Sequence, residues 1–318
     1  MLPTLDQMRA AQTIVADVML PTAQYAWPLL TRELGMTVWV KHENHTPIGA
    51  FKVRGGTVYM DALKRAEPGC TGVVAATRGN HGQSITVAAR HYGLRAVIVV
   101  PHGNNPEKND AMAAQGAELV VHGENFEAAV GKALSLADAQ GLHMVLSFNE
   151  TLVAGVGSYA LELFENAGPL DAVYVPIGLG SGICGVIAAR EALGLKTEVI
   201  GVQAAGASSY ALSFAAGHVV PTQTADTYAD GIATKSPDEQ AVAIVNRHAA
   251  RIVTVEDAEI LAAQKLMLRT THNLAEPAGA APLAAVVKER EAMSEKTVAV
   301  ILSGGNADVA NLRLITGA

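Results

Sequence analysis

The sequence predicts an α/β protein of two domains, each a mostly parallel sheet flanked by helices. Three observations carry that prediction. Eight short runs read as strands, and most are almost continuously apolar, as strands buried on both faces should be. Segments with helical spacing separate them, so the chain reads as successive strand–helix–strand units. The 318 residues are 50% apolar but only 4% aromatic, an Ala, Val, Leu, Ile and Gly interior that suits helices packed on both faces of a sheet.

In chain order the predicted strands are TVWVKHE (37–43), TGVVAAT (71–77), RAVIVVP (95–101), AELVVHG (117–123), DAVYVPI (171–177), TEVIGVQ (197–203), ARIVTV (250–255) and KTVAVIL (296–302). Apolar positions at helical spacing mark helices over 85–93, 125–141 and 258–273, among others. The alternation sets off a four-unit block, 48–147, inserted between the two parts of a larger domain, 1–47 plus 148–318.

Bulk properties exclude several classes. A net charge of −7 with no basic run argues against a nucleic-acid surface. The N-terminus lacks a basic start followed by an apolar run, and no stretch of about 18 apolar residues is free of charges and breakers. A cytoplasmic protein with no membrane span is the expectation. The chain ends soon after its last strand, so no appended regulatory domain is expected. Cys70 and Cys184 form neither a disulfide framework nor a metal-spaced motif, and read as reduced, packed thiols.

The chemistry gathers at strand ends. After DAVYVPI comes GLGSGICG, residues 178–185, where Gly180, Gly182 and Gly185 fit the spacing of a dinucleotide fingerprint. That fingerprint wants an acid about 20 residues on, and the next strand ends in Gln203. A general property survives: a glycine-rich turn at a helix N-terminus offers free N–H groups and the positive end of the helix dipole to a phosphate. A tight turn with nothing bound is the plain alternative. A nicotinamide oxidoreductase rests on those three glycines alone.

Strand TGVVAAT leads into Arg78, Gly79, Asn80 and His81, a polar turn that opens a helix. Asn80 can donate and accept at once. His81 also reads as an ordinary, partly buried imidazole. KTVAVIL leads into Ser303-Gly304-Gly305-Asn306, again at a strand's carboxyl end, where open α/β sheets bind ligands. Glu276 opens EPAGA, where a carboxylate complements a helix N-terminus. His42 and His45 are three apart, and a strand end is not expected to bring them together on a metal.

Lys52 sits in GAFKVRGG between an aromatic ring and small residues, a partly dry setting that lowers a lysine's pKa. A phosphate cradle plus such a lysine suggests pyridoxal phosphate, an aldehyde that forms a Schiff base with lysine.

Here the sequence resembles the fold-type II pyridoxal-phosphate enzymes (tryptophan synthase β-like), in the serine/threonine dehydratase and serine racemase branch. KHENHTPIGAFKVRGG, RGNHGQS, PIGLGSGICG, DGIATKSP, EPAGA and LSGGN occur in the family's order across roughly residues 20 to 310. The resemblance implies a large cofactor-binding domain, 1–47 plus 148–318, and a small mobile one, 48–147. It implies that Lys52 holds the cofactor and moves the substrate Cα proton. Backbone N–H groups of Gly178, Leu179, Gly180, Ser181 and Gly182 hold the phosphate, Asn80 meets the ring hydroxyl, and Ser303 faces the ring nitrogen. Phe51 and Glu276 complete the cofactor's surroundings. Arg78, Gly79, Asn80 and His81 receive the substrate carboxylate.

The reaction implied is β-elimination from a 3-hydroxy amino acid such as L-threonine or L-serine, giving a 2-oxo acid and ammonia. A homodimer or homotetramer is implied as well. Two departures from the family pattern bear on this. Relatives carry a small residue at the place of Arg78, a serine that serves as second acid/base in the racemases. Arginine stays protonated, which disfavours racemisation. Its guanidinium could instead grip the second carboxylate of 3-hydroxyaspartate, or turn outward to a surface acid. Gln203 and Ser209 stand where cation-binding relatives carry acids, so no divalent metal is expected there.

Overall fold

The computed structural model describes residues 2–317. Among them are ten strands: β1 (Gln24–Ala26), β2 (Thr37–His42), β3 (Gly72–Ala76), β4 (Arg95–Val100), β5 (Glu118–Val121), β6 (His143–Met144), β7 (Ala172–Pro176), β8 (Glu198–Ala204), β9 (Arg251–Val255) and β10 (Thr297–Leu302). The α-helices are α1 (Leu5–Ala16), α2 (Pro28–Leu34), α3 (Lys52–Ala66), α4 (Asn80–His91), α5 (Pro106–Ala114), α6 (Phe126–Gln140), α7 (Glu150–Asn166), α8 (Ser181–Ala192), α9 (Ser209–Ala216), α10 (Glu239–His248), α11 (Asp257–Thr271), α12 (Pro277–Lys288) and α13 (Val309–Thr316).

Two sheets result. The larger has the order β1-β2-β10-β7-β8-β9, and only its edge strand β1 runs antiparallel. The smaller has the order β5-β4-β3-β6 and is parallel throughout. Every residue of β3 and β7 is buried, as their unbroken apolar runs require. Separate apolar cores lie on the two faces of each sheet. All eight predicted strands are present. The two that the sequence hid, β1 and β6, are three and two residues long, too short for any periodicity to register.

Polar side chains start many of the helices. Asn125 caps α6, Asn149 caps α7, Asp238 caps α10 and Asp308 caps α13, each accepting a backbone N–H of the first turn. Asn105 caps α5, with Pro106 at its first position. Several other helices start without such a cap, and two of them matter here. Gly180 precedes α8 with φ +103 and Phe51 precedes α3, and neither supplies a side-chain cap. Both of those starts face the candidate site.

A buried ion cluster fixes α3. Arg54, fully buried, donates to Glu43 Oε2 at 2.7 Å and to Glu162 Oε1 at 2.7 Å. Lys41 reaches the same Glu162 at 2.5 Å. The cluster joins the end of β2, the first turn of α3 and the middle of α7, two residues beyond Lys52.

One expectation is corrected. The rings of His42 and His45 stack with centroids 5.0 Å apart, because one 3-10 turn, Glu43–His45, follows β2 directly. Three of their four ring nitrogens have protein partners: Trp27 Nε1 donates to His42 Nε2 at 3.0 Å, His42 Nδ1 lies 3.3 Å from Asn44 Oδ1, and His45 Nε2 lies 2.7 Å from Asn273 Oδ1.

Candidate active site

The carboxyl ends of β3, β7 and β10 and the start of α3 converge on one cavity of about 460 Å³. Every residue to which the resemblance gives a cofactor or substrate role lines it, from Phe51 and Lys52 through the turns at 78–81 and 178–182 to Glu276 and Ser303.

Lys52 is the first residue of α3, and its chain is knitted to the turn after β10. Phe51 N donates to Ser303 O at 3.0 Å, Gly305 N donates to Gly49 O at 2.9 Å, and Ala50 bridges Gly304. Ser84 of α4 donates to Lys52 O at 2.5 Å. Lys52 Nζ lies 4.9 Å from the centre of the Phe51 ring, and no carboxylate is within ion-pair distance among the described residues. Burial pulls its pKa down to about 8, with the Glu276 carboxylate opposing.

The turn between β7 and α8 presents free donors. The N–H groups of Leu179, Gly180, Ser181 and Gly182 meet no acceptor among the described residues, as expected of a helix start without a cap. Gly178 is held from behind: a β-carbon there would come within 2.5 Å of Gly231 O. Tyr210 Oη donates to Leu179 O at 2.9 Å and fixes the turn's other face.

The Asn80 side chain is fully oriented. Its Nδ2 donates to Glu276 Oε1 at 2.9 Å and Oε2 at 3.1 Å, and its Oδ1 accepts from Asn306 Nδ2 at 2.8 Å. Glu276 precedes α12 at its N-cap position, but its carboxylate accepts from Asn80 rather than from the helix's own N–H groups. It is buried, and burial raises its pKa. His81 is buried too; burial, then the charge of Lys52, lowers its pKa to about 3. Its Nε2 has no partner. Arg78 is exposed at the cavity wall and forms no ion pair among the described residues, so the outward pairing with a surface acid is not what it does.

Gln203, where a nucleotide-binding acid was sought, is buried and accepts from Ala211 N at 2.9 Å. Ser209 donates to Thr234 O at 2.7 Å. The described residues hold no cluster of three or more candidate metal ligands. No described helix is long and apolar enough to cross a membrane.

Sequence reasoning missed Lys108 and Asp230, which also line the cavity and form an ion pair. DGIATKSP marked the stretch holding Asp230, but nothing in the local pattern pointed to Lys108 on α5. It also left Asn306 without a role, although that residue orients Asn80 and donates to Ile48 O at 2.8 Å.

Known proteins resemble this chain in sequence and fold. Residues 15–304 match the family described as pyridoxal-phosphate dependent enzyme. An L-threonine dehydratase biosynthetic IlvA of Pasteurella multocida is 33% identical over 306 residues, 95% of this chain but 59% of that protein. The chain thus spans less than two thirds of that relative's length. An L-threonine ammonia-lyase of Thermotoga maritima is 33% identical over 307 residues, 96% of this chain and 76% of that one. Among solved structures, a T.th. threonine deaminase aligns with a TM-score of 0.91 at 32% identity, covering 96% of this chain and 99% of that chain.

Proposed function

The chain belongs to the pyridoxal-phosphate dependent enzymes, and from that premise we propose that it is a lyase acting on a 3-hydroxy amino acid. L-Threonine and L-serine are the substrates proposed. The β-hydroxyl leaves as water, one water is taken up again, and the products are a 2-oxo acid and ammonia. The observation that carries the reading is the meeting of Lys52, free of any carboxylate, with uncapped helix-start donors in one cavity.

The residues present fit the cofactor. The unpartnered N–H groups of Leu179 to Gly182 suit a phosphate, and the orphan Nε2 of buried His81 marks a polar site built for something beyond the protein's own groups. When bound, pyridoxal phosphate supplies an aldehyde that links to an amine and a conjugated ring that takes up the electron pair released at Cα.

Lys52 would hold that aldehyde and, once displaced by the substrate amine, move the Cα proton. A pKa of about 8 leaves a useful fraction of its amine neutral near neutral pH. Asn80, locked between Glu276 and Asn306, presents a preset amide to the ring hydroxyl. Ser303, at the cavity wall, would meet the ring nitrogen with a hydroxyl. A hydroxyl would not keep a proton there as a carboxylate would, so the ring would be a weaker electron sink. The turn from Arg78 to His81 takes the substrate carboxylate, with neutral His81 as a hydrogen-bonding wall. The same reading divides the chain into a cofactor-holding part, 1–47 plus 148–318, and a smaller part, 48–147, that moves over it. The two separate sheets support the division. A cytoplasmic homodimer or homotetramer belongs to the same reading, by analogy with the dehydratases.

A second substrate, 3-hydroxyaspartate, has one observation in its favour: Arg78 lines the cavity without an acidic partner. Ammonia and 2-oxo acid released from L-threonine, L-serine and 3-hydroxyaspartate are the test. Equimolar release from threonine or serine supports the first reading. Release from 3-hydroxyaspartate alone, lost in Arg78→Ser, supports the second, and no release from any of the three overturns both.

A further inference from the structure

We propose that Lys108 and Asp230 are a positioning pair that sets the turn after β3 against the turn before α8. The lyase reading says what those turns bind, and the proposal rests on it for that alone. Lys108 lies in α5, beside the smaller sheet. Asp230 opens the 3-10 turn Asp230–Ile232, 122 residues later, beside the larger one. The Lys108 ammonium is bonded to the Asp230 carboxylate across the cavity.

Each partner also touches one of the two turns. The Lys108 stem passes over Gly79, where a β-carbon would lie 3.0 Å from Lys108 Cδ. Gly231, next to Asp230, sets its carbonyl against Gly178, where a β-carbon would lie 2.5 Å from that oxygen. Gly79, Lys108, Asp230, Gly231 and Gly178 therefore form one unbroken line of contact between the two halves of the site.

The same end of α5 makes two further ties across the cleft. Asn105 Nδ2 donates to Asp308 Oδ2 at 2.5 Å, and Val309 N donates to Glu107 Oε1 at 3.2 Å. Lys108 and Asp230 are 14% and 37% exposed, a half-open pair of the kind that adds little to stability. Its consequence is geometric: with the pair intact, the substrate turn cannot shift relative to the anion-binding turn without breaking a charged hydrogen bond.

The test uses the holoenzyme. Lys108→Met keeps the stem over Gly79 and removes the ammonium, and Asp230→Asn removes the opposite charge. Each is expected to raise KM for the amino acid about tenfold, with kcat within about twofold of wild type. The double variant should be no worse than either single one, because the two residues act as a unit. Hydrogen exchange, which needs no turnover, should quicken in both variants at 78–82 and at 178–182 together. Unchanged KM, effects that multiply in the double variant, or faster exchange confined to α5 would each overturn the proposal. If no amino acid is turned over, the lyase reading fails separately and the exchange pattern alone decides this one.

Discussion

Asn80 and Glu276, 196 residues apart in sequence, meet through both carboxylate oxygens at 2.9 and 3.1 Å. One belongs to the turn after β3 and the other to the start of α12, so this contact closes the cavity between the two sheets. It also sets the first prediction. Burial raises the pKa of Glu276, so the folded protein holds a proton there after the unfolded chain has lost its own. Stability of the cofactor-free protein therefore falls as pH rises from about 4.3, the ordinary glutamate value, through the raised one. Glu276→Gln keeps an acceptor for Asn80 and removes that loss. At pH 7 the variant should be more stable than wild type, and the difference should shrink as pH falls toward 4. Urea unfolding at the two pH values measures it.

Lys52 has the opposite sign. Its folded pKa of about 8 lies below the unfolded lysine value of about 10.4, so the fold carries a cost at neutral pH that is relieved between those values. Stability of the cofactor-free protein should rise by roughly 3 kcal/mol across that window, and Lys52→Met should lack the rise. The rate at which the cofactor-free protein captures pyridoxal phosphate should climb with a midpoint near 8. A midpoint above pH 10 would mean that the lysine is not desolvated.

Gly180→Ala tests the anion-binding turn. The position has φ +103, and a β-carbon would come within 2.6 Å of Ala241 Cβ and 2.8 Å of Tyr210 Oη. The left-handed strain alone costs about 1–2 kcal/mol, and the clash displaces the donors that follow. Retention of pyridoxal phosphate through dialysis should fall by at least about tenfold, with far-ultraviolet circular dichroism unchanged.

The ion cluster behind Lys52 gives a stability prediction. Arg54→Met leaves Glu43 and Glu162 buried with too little positive charge, and should cost about 3–5 kcal/mol in urea unfolding. Adding Glu43→Gln to that variant should recover part of the loss, since it removes one of the stranded charges.

These contacts mark how far the sequence could be read. β3, β7 and β10 were legible because burial on both faces leaves an almost unbroken apolar run. The site was legible where its chemistry is local: a glycine turn, an amide and a lysine each at a strand's carboxyl end. Arg54, Lys41 and Glu43 look like an exposed charged stretch, because the partner that buries them, Glu162, lies 108 residues beyond Arg54. Lys108 and Asp230 were illegible for the same reason, since neither has a local pattern that foretells the other. His42 and His45 misled because a single 3-10 turn after β2 rotates two rings into a stack that strand geometry would hold apart.

The central claim is that Lys52 is the lysine that holds the cofactor. Borohydride reduction of the purified holoenzyme fixes a lysine-bound pyridoxal phosphate in place, and peptide mapping by mass spectrometry then reads its position. The account predicts the added mass on the peptide containing Lys52 and nowhere else, and its loss in Lys52→Ala. Label on another lysine, or a cofactor that washes off unreduced, would contradict it.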